Sequence, residues 1–245
     1  MDLYSYSRFI NPLVKRYARL NIEGKENLPE PGKSFLIACN HSGGMWWDAL
    51  CLVTSMPERQ LHFIAHHWDG TIKPMRVMLE SVGSYFLAPT LDEINENDPV
   101  VVGLKQGKAM CQFPEESYHT FRNRYTLYQF SGQVIKYSHL ANTPIIPTAV
   151  IGAEEAAPTF WGPKIKGIPW HIPMHPPIYL PLPITIEFGE PCTLADLAPK
   201  ASSIPSNVDY QVAARQLREK VRGLLIKYRN CKIKDIPYND QQGWW

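Results

Sequence analysis

The chain has little of what usually places a sequence at once. Its five cysteines (Cys39, Cys51, Cys111, Cys192, Cys231) are odd in number, scattered and without a C-x-x-C pair. That argues against a disulfide framework or a cysteine zinc site, and for reduced thiols in a cytoplasmic or cytosol-facing protein. Charge of one sign is also missing: 25 Lys and Arg against 23 Asp and Glu leave a formal +2, which marks neither a nucleic-acid binder nor an acidic tail. Long hydrophobic runs are absent; the stretch from Ile145 to Ala153 is short and broken by Pro147, too little to span a bilayer. The opening MDLYSYSRFINPLVKRY lacks the apolar core of a signal peptide. Any membrane contact is therefore expected to be peripheral. There is no internal repeat and no G-x-S-x-G elbow, so a covalent serine intermediate is not expected. His66 and His67 are adjacent and would point different ways on a strand, and His171 and His175 sit in a proline-broken segment. No metal site is expected from either pair.

Proline, by contrast, is abundant. Many of the 22 prolines crowd between Pro158 and Pro199, which predicts extended segments and turns there with little helix. Elsewhere short apolar runs alternate with helical periodicity. Strands are predicted at Ser34–Ala38, Leu61–Ala65, Ser84–Leu87, Ala109–Phe113, Pro144–Ile151 and Ile184–Phe188, with a short one at Asn21–Gly24. Helices are predicted from Ala49, Lys73, Pro99 and Val134, and a long closing helix is capped by Ser206, with Val208, Val212, Leu217, Val221, Leu224, Leu225 and Tyr228 as its buried stripe. The alternation predicts an α/β fold with a mostly parallel central sheet flanked by helices. Residues 21–245 are expected to form one domain, preceded over 1–20 by an amphipathic helix with Phe9, Ile10, Leu13, Val14, Tyr17 and Leu20 on one face. That helix can pack on the core, or lie at a lipid interface with its basic flank toward anionic headgroups.

The most informative segment is Cys39-Asn40-His41-Ser42-Gly43-Gly44-Met45-Trp46-Trp47-Asp48, at the carboxyl end of the first buried strand. A neutral imidazole accepts a proton near pH 7, and a carboxylate on its other nitrogen fixes the tautomer and supports the imidazolium. Gly43 and Gly44 permit a tight loop whose backbone N–H groups can face a developing oxyanion. The bland alternative is a satisfied loop histidine beside a helix N-cap. Open α/β sheets bind ligands beyond the carboxyl ends of their strands, and the Pro114-Glu115 loop also leaves from such an end, so the two loops can share one cleft. Cys39, two residues before His41, is read as inert packing. Trp46 and Trp47 can pack in the core, line an apolar groove or rest at a lipid interface; Trp161, Trp170, Trp244 and Trp245 carry the same ambiguity.

Four stretches in order resemble the motif blocks of the glycerolipid and lysophospholipid acyltransferase family: Asn40-His41…Asp48, Gly83-Ser84-Tyr85-Phe86-Leu87, Phe113-Pro114-Glu115, and Thr143-Pro144-Ile145-Ile146-Pro147 running on to Glu155. The segment from Leu180 to Pro191 is similar to the family's late strand and Gly-Glu-Pro turn. The resemblance implies transfer of a fatty acyl group from a thioester, acyl-CoA or acyl carrier protein, to a hydroxyl. His41 would be the general base, Asp48 its orienting carboxylate, and Glu115, with Pro114, Ser117 and Tyr118, the acceptor-binding block. The thioester would be a co-substrate, with no cofactor needed.

The departures matter too. The family's common first block has its aspartate five residues after the histidine, whereas Asp48 is seven on, and this longer Gly-Gly loop is similar to a branch acting on neutral acceptors. The arginines of the second and third blocks, thought to take an acceptor phosphate, are replaced near Pro89 and by Glu116-Ser117-Tyr118. Proline and tyrosine cannot supply a bidentate phosphate contact, and Glu116 repels a dianion unless Arg122 or Arg124 compensates. The expected acceptor is thus an uncharged lipid alcohol. A lysophosphatidate-type acceptor, a thioesterase and a non-catalytic lipid-binding protein are the alternatives.

Overall fold

The computed structural model describes residues 3–41, 46–116, 119–164, 171–176 and 178–235. In chain order its strands are β1 (Asn21–Glu23), β2 (Phe35–Cys39), β3 (Leu61–Ala65), β4 (Tyr85–Phe86), β5 (Ala109–Gln112), β6 (Thr126–Leu127), β7 (Ile145–Ile151), β8 (Phe160–Lys164), β9 (His171–Met174), β10 (Thr185–Phe188) and β11 (Lys232–Ile233). The helices are α1 (Leu3–Tyr17), α2 (Trp47–Ser55), α3 (His67–Thr71), α4 (Lys73–Ser81), α5 (Pro99–Lys105), α6 (Gln133–Ala141), α7 (Ala153–Ala156), α8 (Leu194–Leu197) and α9 (Asn207–Leu225). Seven strands form one sheet in the order β1-β10-β7-β2-β5-β3-β4. The five from β7 to β4 are mutually parallel, and β10 runs antiparallel to β7. The expected α/β architecture with a mostly parallel sheet is what is found.

The reason is visible in β2, Phe-Leu-Ile-Ala-Cys, buried at every position. A strand buried on both faces reads as an unbroken apolar run. Phe35, Ile37 and Cys39 join one core with Val14 of α1, Ala18 just after it, and Trp47, Cys51 and Leu52 of α2. Leu36 and Ala38 join the other with Val100, Val101 and Leu104 of α5, Val134 and Ile135 of α6, and Leu217, Val221 and Leu225 of α9. Each fully buried aliphatic or aromatic side chain contributes roughly 1.5–3 kcal/mol. So α1 is held by Val14 and by Ala18 in the turn after it, while Leu13, at 70% exposure, points outward.

The buried stripe of α9 differs from expectation. Its capping box of Ser206 and Asp209 is present, but Val208 and Val212 are exposed and the buried face is Tyr210, Ala213, Ala214, Leu217, Arg218, Val221 and Leu225. Two alanines let the helix approach the sheet closely, which rotates the valines outward. The proline-rich stretch holds the β8–β9 hairpin and the single turn of α8, as little helix as its composition predicts. The short strands β6 and β11, which pair in parallel, were not expected.

Chain reversal after β7 depends on Gly152, which has φ +93°; a Cβ there would meet the Pro183 carbonyl oxygen at 2.2 Å. Gly32 also has positive φ (+90°) but faces open space. Gly152→Ala should therefore cost about 3 kcal/mol and Gly32→Ala about 1 kcal/mol, or roughly 6–12 °C against 2–4 °C in thermal midpoint for a chain of this size. Thermal denaturation of the two variants checks the ordering; equal midpoints would contradict it.

Candidate active site

Cys39 ends β2 at the centre of the sheet, and Asn40 then clamps the chain to β7. Its side-chain N–H donates to the Val150 carbonyl at 3.0 Å and its oxygen accepts from the Val150 N–H at 2.9 Å. This fixes the residue that follows. The His41 ring stacks on Phe113 beyond β5, with centroids 4.1 Å apart and 19° between planes. Its Nδ1 lies 2.7 Å from Asp48 Oδ2. Asp48 sits in the first turn of α2, where the helix dipole favours a carboxylate, and its Oδ1 also accepts from the Ala49 N–H at 2.7 Å. The seven-residue separation therefore does let the aspartate reach the ring. Trp46 makes the turn possible by adopting φ +64° directly before α2. His41 is 8% exposed and Asp48 fully buried. A carboxylate accepts only, so Nδ1 carries the proton and Nε2 is the ring's acceptor.

Glu115 and Pro114 follow β5, the strand beside β2, so the two loops do converge. Yet Glu115 has no exposed surface. Its Oε1 accepts from the His41 backbone N–H at 3.3 Å; Oε2 accepts from the Tyr128 N–H at 2.7 Å and lies 2.9 Å from His119 Nε2. Those bonds engage both carboxylate oxygens within the protein, whereas the resemblance implies an acceptor-binding role for this residue. Pro114 is buried too, its carbonyl accepting from the Ser131 N–H. Burial lowers the pKa of His119, but the Glu115 charge and hydrogen bond, with the Glu154 charge, outweigh it and raise the value to about 9. Glu154, after β7, is pushed up to about 8 by burial, partly offset by His119 and by the Tyr125 N–H that it accepts. His119 and Glu154 carry no pattern in sequence that ties them to His41.

The remaining expected residues fall in different places. Gly43, Gly44, Ser117, Tyr118, Trp170, Trp244 and Trp245 lie outside the described residues, as does the side chain of Trp161. Trp46 is exposed at 42%. Trp47 is buried, stacked on Tyr179 at 4.4 Å, and borders a recess of about 830 Å³ with Leu13, Tyr17, Ile178 and Pro181. Cys39 and Cys111 are buried thiols 3.9 Å apart, and burial pushes the Cys39 thiol well up, so it packs as an unreactive group. Glu116 pairs with His66 at 3.5 Å. Arg122 and Arg124 line a separate cavity with Arg229 and Lys232.

The buried pair His119 and Glu154 gives stability a definite pH dependence. His119 stays protonated in the folded state up to about pH 9, against an ordinary 6.5, and Glu154 up to about pH 8, against 4.5. Between pH 4.5 and 8 the folded chain holds a Glu154 proton that the unfolded chain has lost. Between pH 6.5 and 9 the same holds for His119. Both make stability fall as pH rises, by about 1.4 kcal/mol per pH unit for each proton. Glu154→Gln should flatten the decline between pH 4.5 and 8. Denaturant titrations at several pH values check this; parallel curves for the two proteins would contradict it.

The sequence model of the family described as Acyltransferase matches residues 19–151, which takes in β1 to β7, His41, Asp48 and Glu115. Similar proteins include uncharacterized proteins of Mycobacterium tuberculosis and Mycobacterium bovis, each 27% identical over 252 residues, covering 92% of this chain and 67% of the relative. One from Mycobacterium leprae is 25% identical over 244 residues, covering 89% of this chain and 62% of its own length. The family match spans more than half of the chain and includes the histidine–aspartate pair on adjoining elements: the chain belongs to the acyltransferase family.

Proposed function

We propose that the protein transfers a fatty acyl group from a thioester, acyl-CoA or acyl carrier protein, to the hydroxyl of an uncharged lipid alcohol. The observation that carries this reading is the buried 2.7 Å contact between His41 Nδ1 and Asp48. With Nδ1 held as donor, Nε2 takes the proton of the acceptor hydroxyl as its oxygen attacks the thioester carbonyl. The C–S bond of the tetrahedral adduct then breaks, the thiolate leaves and is protonated, and an ester and a free thiol result. Asp48 stabilises the imidazolium formed on the way. Backbone N–H groups of Gly43 and Gly44 are proposed for the oxyanion. Glu115 is a positioning residue in this scheme, fixing the His41 backbone.

The choice of an uncharged acceptor is supported by charge. The third block has Tyr118 where the phosphate-binding arginine would be, with Glu116 two residues before it, and Arg122 and Arg124 border a different cavity. The recess beside Trp47, bordered by Leu13, Tyr17, Ile178 and Pro181 and immediately preceding Asp48 in sequence, is proposed to take the acyl chain. Exposed Leu13, Ile178 and Leu180, with Arg16 and Arg19 at the same recess, support access from a membrane surface. Among the described residues no helix is long and apolar enough to cross a membrane.

The test is product identification by mass after incubation with a long-chain acyl-CoA or acyl carrier protein and a panel of mono- and diacylglycerols, long-chain alcohols and lysophosphatidate. An ester of a neutral acceptor is expected, and His41→Ala should lower its rate by about a hundred- to ten-thousand-fold. Thiol release independent of every acceptor would replace the transferase with a thioesterase. Lysophosphatidate outperforming all neutral alcohols would overturn the acceptor assignment.

A further inference from the structure

A second cavity, of about 530 Å³, is bordered by Arg122, Arg124, Arg229, Lys232 and Lys234, with Glu155 as its carboxylate. Five cations face one anion here, although the whole chain carries only +2. The cavity is built on fixed parts. Lys232 lies opposite Thr126 in the β6–β11 pair, and its N–H donates to the Tyr125 carbonyl at 2.9 Å. Tyr125 itself holds φ +54°, its hydroxyl donating to Glu155 at 2.6 Å and accepting from the Gly152 N–H at 3.0 Å. Arg229 lies over the Tyr125 ring and Arg124 over Phe121. Glu155 is already engaged by Tyr125 and by Arg229 at 3.7 Å. Among the described residues lining the cavity it is the one carboxylate beside Arg122, Arg124 and Lys232. Like charges gathered in a recess repel one another, and an anion that enters relieves all of them together.

We propose that this cavity is a binding site for a small molecule carrying two or more phosphate charges, separate from the His41–Asp48 pair. Arginine forks and lysine point charges are the groups that hold phosphate oxygens. The ligand chemistry is that of a pyrophosphate, whether free or as the nucleotide end of a coenzyme. The site stands on its own charge and geometry and does not require the acyl transfer proposed above.

The test is titration calorimetry of the full chain with inorganic pyrophosphate, with coenzyme A and with phosphatidylcholine vesicles containing phosphatidic acid. It compares wild type with the double variant Arg122→Gln, Lys232→Gln, and with a control pair, Lys73→Gln, Lys200→Gln, which removes the same charge elsewhere. Thermal midpoints confirm that each variant is folded. Saturable binding of a soluble probe is expected, weakened roughly tenfold or more by the cavity variant and unchanged in the control. Tighter binding of coenzyme A than of pyrophosphate assigns the nucleotide source, and equal binding the free polyphosphate. No saturable binding of either soluble probe, equal losses in both double variants, or binding confined to vesicles would overturn the proposal.

Discussion

A carboxylate buried without exposed surface and in contact with an imidazole nitrogen is the constraint around which the centre of this molecule is arranged. Asp48 cannot stay charged in the interior without partners, because desolvating a carboxylate costs several kcal/mol. Its oxygens meet the His41 ring and the Ala49 N–H, and its position in the first turn of α2 adds the helix dipole. Those requirements fix where α2 begins and which ring nitrogen carries the proton. They also explain why the connection from β2 tolerates a left-handed tryptophan at position 46.

The same logic continues inward from the histidine's backbone. Glu115 accepts from three donors drawn from β2's end, the loop after β5 and the segment after β6. Removing one partner of such a buried pair typically costs 3–5 kcal/mol, since the other is left uncompensated. Glu154 extends the set of buried titratable groups to the end of β7. The sheet therefore presents the loops after β2, β5 and β7 joined by polar contacts at the same edge where ligands of α/β folds bind. Those contacts hold the His41 ring in place from within the protein.

Legibility in the sequence followed the range of the interactions. β2, β5 and β7, buried at every position, were readable as largely apolar runs, β3 as an apolar segment although three of its residues are only partly buried, and the helix start beside Asp48 from its neighbours alone. The pairing of His41 with Asp48 was readable because both lie in one motif. Glu115 was found as a residue, but nothing in Phe-Pro-Glu shows that Tyr128 and His119 return to meet it. The stripe of α9 was displaced because hydrophobicity favours valine over alanine, whereas close packing on the sheet favoured Ala213 and Ala214. Strands β6 and β11 have two residues each, too few for any period, and the cavity they frame was invisible for that reason.

The proposed role of His41 as base rests on one microscopic condition, that Asp48 holds the proton on Nδ1 and leaves Nε2 to accept. Heteronuclear NMR of the imidazole nitrogens, in the wild-type protein and in Asp48→Asn, observes that condition directly. The account predicts a single Nδ1–H tautomer for the neutral His41 ring in the wild type, lost or mixed in the variant. A wild-type ring protonated on Nε2, or a tautomer indifferent to the loss of the carboxylate, would contradict it.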